Sequence, residues 1–66
     1  MITRSLIDGL IHMSEVAAER ACEQHGTTFR VVERDGEALI VPQDLNSNRI
    51  NAKVANGVVT TIDGIY

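Results

Sequence analysis

The feature that most constrains this chain is a change of hydrophobic period at Gly26. Ahead of it, Leu6, Leu10, Met13, Ala17 and Ala21 follow one another at steps of three and four. Ile7, Ile11, Ala18 and Cys22 widen the same stripe, the spacing of an amphipathic helix with one apolar face. Thr3 or Ser5 can cap one long helix, whereas Ser14 can cap a shorter one running from Glu15 to Gln24. Gly9 costs ~1 kcal/mol inside a helix and favours a break in the first part. Gly26 ends the helical half by supplying a left-handed residue past its last turn. Beyond Gly26 the chain becomes β-branched. Thr27–Val32 reads as a strand, Arg34-Asp35-Gly36-Glu37 as a turn, and Ala38–Val41 as a short apolar strand stopped by Pro42. Arg49–Val54 alternates, with Ile50, Ala52 and Val54 on one face. Asn56-Gly57 is a two-residue hairpin signal, and Val58–Ile62 is the returning strand.

These elements predict a single small α+β domain over residues 1–66, with the helix within 3–25 and the sheet over 27–63. One N-terminal amphipathic helix packs on a small mixed β-sheet of three to four strands, and an exposed loop precedes the penultimate strand. Leu10, Met13, Ala17, Ala21, Val31, Ile50 and Val54 are expected in the core. Only Phe29 and Tyr66 are aromatic, so that core must be aliphatic. With 66 residues there is little surface to bury, which makes stability marginal and self-association advantageous.

Six basic against nine acidic residues give a net charge of -3 with no basic block, which argues against nucleic acid and anionic membranes as partners. No apolar run approaches the ~20 residues of a membrane span. Asp8 interrupts the apolar start, so no secretory signal is read there and a cytoplasmic location is expected. The single Cys22 excludes an internal disulfide. Cys22-x-x-His25 sets a thiol and an imidazole one helical turn apart, but a metal site needs about four ligands and His12 alone does not complete it. The expectation is no metal, no cofactor and no catalytic residue, with Cys22 a reduced packing residue.

The segment Pro42–Asn48 is longer than a connection between neighbouring strands requires. It holds a proline, an acid and several amides, and runs directly into Arg49. The arginine fork offers five donors, enough to hold Asp44 or loop carbonyls from beneath, and Arg49 is the one guanidinium in the adjoining sequence.

The stretch from Leu39 to Ile65, LIVPQDLNSNRINAKVANGVVTTIDGI, resembles the reactive loop and C-terminal strands of the potato inhibitor I family of serine-protease inhibitors. It is most similar to the small bacterial and fungal elastase-inhibitor branch, with its run V-T-M-D-Y-R-x-D-R-[LIV]-N. Val41 matches the first valine, Asp44 the acid, Arg49 the second arginine and Ile50-Asn51 the pair after it. Asn56-Gly57-Val58-Val59-Thr60 matches the turn and last strand, and Ser14-Glu15-Val16-Ala17-Ala18 the start of the short helix. The chain departs from the pattern at Pro42, which replaces a threonine, at Leu45, which replaces an aromatic residue, and at Asn46, which replaces the first loop-supporting arginine. The family's N-terminal Trp and Leu-Val-Gly element have no clear counterpart.

The resemblance implies a binding loop made of Pro42, Gln43, Asp44, Leu45, Asn46 and Ser47, supported by Arg49 and Asn51. It implies a protein partner of the subtilisin- or chymotrypsin-like serine protease kind. Alignment puts Gln43 before the scissile bond; a register shifted by two makes Leu45 the anchor. The alternative is a binding or regulatory module inside the cell that keeps this fold without inhibiting a protease, as an accessory or host-directed factor, alone or as a homodimer.

Overall fold

The computed structural model describes residues 2–66. The helical half is two helices: α1, Arg4–Leu10, and α2, Glu15–Gln24. Of the three candidate caps Thr3 and Ser14 are used, and Ser5 lies inside α1. The Thr3 hydroxyl accepts from Leu6 N at 3.1 Å and the Ser14 hydroxyl from Ala17 N at 3.1 Å, satisfying amides that have no partner within their own helix. Gly9 lies within α1, and the break falls two residues later, at Ile11, whose backbone is extended, and His12, at φ 75°. The linking residues pair with the final strand: His12 N donates to Val59 O, Val59 N to Met13 O and Glu15 N to Gly57 O.

Four strands follow: β1 (Thr28–Arg34), β2 (Glu37–Ala38), β3 (Arg49–Ala55) and β4 (Val58–Ile65). They form a mixed sheet in the order β2-β1-β3-β4, in which β1 and β3 are parallel and the other pairs antiparallel. Asp35-Gly36 and Asn56-Gly57 turn with both central residues at positive φ, the type I′ geometry that matches strand twist. The two turns lie at one end of the sheet, where Asn56 N donates to the Asp35 carboxylate at 2.8 Å.

One core joins both halves. Leu6, Leu10, Ala18 and Cys22 meet Ile50, Ala52, Val54 and Val59, all buried. Burying each large aliphatic side chain contributes about 1.5–3 kcal/mol. Leu10, Ile50 and Val54 are where the sequence places them, but Ala17 is exposed and Met13, Ala21 and Val31 are half-buried. With the chain broken at Ile11–Ser14, α2 turns Ala18 and Cys22, the residues that widen the stripe, to the sheet in place of Ala17. The expected strand Ala38–Val41 is also shorter. Leu39 N still reaches Val32 O, at 2.9 Å, but the chain then leaves the edge and Ile40 is fully exposed. It has to leave, because a parallel β3 can be reached only by passing over the end of β1.

Candidate functional site

That crossing is the loop from Leu39 to Asn48. It runs without turn or bend as far as Asn46, and a turn at Ser47-Asn48 then delivers it to β3. The Asn46 side chain accepts from Asn48 N at 2.9 Å, closing an Asx-type turn. Asn48 anchors the loop to the start of β1, with Nδ2 donating to Gly26 O at 2.8 Å and its carbonyl accepting from Thr28 N at 3.0 Å.

Beneath the loop lies the face of the sheet turned away from the helices. Side chains alternate along a strand, so with Ile50, Ala52 and Val54 in the core, Arg49, Asn51 and Lys53 take the opposite face. Arg30 is registered beside Asn51 and shares that face. Arg49, only 9% exposed, holds Asp44 in a two-pronged grip: Nη1 to Oδ2 and Nη2 to Oδ1, each 3.2 Å. Its Nη2 also donates to the Asp44 carbonyl at 3.2 Å and to the Tyr66 carbonyl at 2.8 Å. One guanidinium thus ties the loop's acid, the loop's main chain and the end of β4 together. Paired, planar donors of this kind fix orientation as well as position.

Arg49 is not alone there. Arg30, from β1, donates to Asn51 Oδ1 at 2.7 Å, and its Nη1 lies 3.5 Å from the Pro42 carbonyl and 3.4 Å from Asp44 Oδ1. Its guanidinium carbon stands 5.7 Å from the centre of the Tyr66 ring, within range of a cation–π contact. Asn51, fully buried, accepts from Arg30 and donates to Gly64 O at 3.3 Å, so it supports the loop through Arg30. The Tyr66 hydroxyl donates to Asp63, which raises the phenol's pKa. The hydrogen bond from Arg49, helped by Asp44's own amide and by both arginine charges, holds the Asp44 carboxyl below its ordinary range.

Two donors in this cluster, Arg30 Nη2 and Arg49 Nε, are buried without an acceptor among the described residues. The loop itself faces out. Pro42, Gln43, Asp44, Leu45 and Ser47 are exposed, Leu45 at 89%, while Asn46 is half-buried.

Elsewhere, the Cys22 thiol is buried and free, which pushes its pKa up, and His25 Nδ1 lies 2.9 Å from Ala21 O in its own helix. No group of three or more His, Cys, Asp or Glu side chains gathers in metal-binding array among the described residues. None of the described helices is long and apolar enough to cross a membrane. Comparison with protein-family models, with curated proteins and with solved structures gives no match for the chain.

Proposed function

We propose that this protein is a small serine-protease-inhibitor-like binding protein that presents the loop Pro42–Asn48 to a target protease in substrate-like form. The observation that carries the reading is the grip of Arg49 on Asp44 and on the carbonyls of Asp44 and Tyr66. An extended segment fixed from below has little conformational entropy left to lose when a partner's cleft receives it, and that saving becomes affinity. It also keeps the two sides of a cut bond in place, which favours resealing over release.

The loop's outer main chain suits such a cleft. Among the described residues the amides of Val41, Gln43 and Leu45 have no protein acceptor, so an edge strand of the partner is free to pair with them. A helix ahead of the sheet and a hairpin after the loop are the features that the sequence resemblance implies. Arg30 stands in for the support lost at Asn46, from a different strand.

The test is an inhibition constant against subtilisin and chymotrypsin for the wild type and for Arg49→Ala. Inhibition by the wild type, weakened about 10- to 100-fold in the variant, is expected from losing a set of charge-assisted hydrogen bonds. No inhibition of either enzyme at high micromolar concentration rejects the reading, leaving a module that uses the same loop against another kind of protein.

A further inference from the structure

The crossing loop uses only one edge of its main chain. Arg30 donates to the Pro42 carbonyl, Arg49 donates to the Asp44 carbonyl, and the Asn46 amide donates to the Tyr66 carbonyl at 3.2 Å. In extended chain the N–H and C=O of one residue share a side, and those of the next residue take the other. The main-chain groups of residues 42, 44 and 46 are therefore turned to the sheet. Those of Val41, Gln43 and Leu45 are turned to solvent, and among the described residues none has a main-chain partner. Pro42, with no N–H to give a neighbouring strand, falls on the inward side, where none is needed. The outcome is a short, unpaired strand edge already fixed from beneath by Arg49.

We infer that this edge pairs with the same edge of a second copy of the chain, antiparallel, about a two-fold axis at Gln43. That register is the one in which every outward group finds a partner. Gln43 exchanges bonds with Gln43 of the second copy, and Val41 with Leu45 of the second copy. Side chains directly opposite each other in such a pair are neighbours. Valine meets leucine, both apolar, and Leu45 is 89% exposed in the single chain. Glutamine meets glutamine, whose amide holds both donors and an acceptor and so suits its own copy. Charge permits the approach, although the chain carries -3. Asp44 is the loop's one charged residue, and Arg30 and Arg49 of its own chain pair with it. Rigidity lowers the ordering cost, but a contact confined to Val41–Leu45 falls well short of the ~1,000 Å² of a stable interface. Pairing therefore belongs to concentrated protein. A loop paired in this way cannot take up another strand, so self-association hides the surface that a protease or any other loop-bound protein would need.

The experiment measures mass by sedimentation equilibrium from ~20 µM to ~2 mM, with amide hydrogen exchange followed by NMR at both ends of that range. The mass should rise from monomer toward dimer. Exchange at Val41, Gln43 and Leu45 should slow several-fold at the high concentration, while that at Asp44 between them does not. Gln43→Pro removes the central amide from each copy and should raise the dissociation constant by at least ~10-fold. Gln43→Lys sets like charges at the axis and should weaken pairing in low salt, with added salt restoring part of it. Circular dichroism identical to wild type excludes misfolding, since Gln43 lies outside the core. A monomer throughout the range, a dimer that both variants leave intact, or slowed exchange outside the loop overturns the pairing. None of these outcomes bears on the inhibition constants that test the protease reading.

Discussion

The two faces of the sheet are held by different physics. The face under the helices is closed by Leu6, Leu10, Ala18, Cys22, Ile50, Ala52, Val54 and Val59, which need only shape and apolarity to pack. The face under the loop is closed by Arg30, Arg49, Asn51, Asp44, Asp63 and Tyr66, each joined to a partner by a directed bond. The first face stabilises the molecule. The second fixes the crossing loop from beneath through Arg49 and Arg30.

The contrast is broken most severely from the apolar side. Leu10→Ala, at a fully buried position, should cost about 2–5 kcal/mol, a large share of the stability of a domain this size. Urea unfolding should show a much lower midpoint. On the proposed inhibitor reading, the molecules that remain folded should inhibit as the wild type does. Equal loss of affinity per folded molecule would mean that the two faces are not separable.

A smaller effect is expected from the polar side. Arg30→Ala removes contacts of 3.4–3.5 Å to the loop, at the long end for hydrogen bonds, so inhibition should weaken by only about 2- to 10-fold. A loss as great as that of Arg49→Ala would make Arg30 the principal support and reverse the ranking drawn here.

How much of this was legible in the sequence follows the same division. The apolar half was largely readable, because its signals are local: Thr3 and Ser14 as caps, Gly26 as a stop, Asp35-Gly36 and Asn56-Gly57 as turns, and Ile50 and Val54 by alternation. Ala18 takes the place of Ala17 because the chain breaks at the linker, whose His12 at positive φ carries no strong sequence mark. On the polar half, Arg49 was readable because it adjoins the loop. Arg30 was not. It sits within a β-branched strand, and only the parallel pairing of β1 with β3 sets it beneath Pro42 and Asp44. Tyr66 was hidden for the same reason, since its carbonyl reaches the loop only through the β3–β4 register.

The mildest perturbation is acid. The Asp44 carboxyl is depressed in the folded protein, first by the hydrogen bond from Arg49. A depressed pKa means that the tether is fully present above the ordinary carboxylate value and fades as pH falls through the lower, folded one. Inhibition should thus be insensitive to Asp44 titration at neutral and mildly acid pH, with the loop loosening only below about pH 4. Chemical-shift titration of Asp44 follows this directly, and a midpoint above the ordinary value would contradict the grip.

The central claim is that the loop is rigid because Arg49 holds it. Backbone 15N relaxation of Gln43, Asp44 and Leu45, in the wild type and in Arg49→Ala, tests that without any protease present. The account predicts order parameters near the ~0.85 of rigid backbone in the wild type, falling below ~0.6 in the variant while the strands are unchanged. A wild-type loop already below ~0.6, or a variant loop as ordered as the wild type, would contradict it.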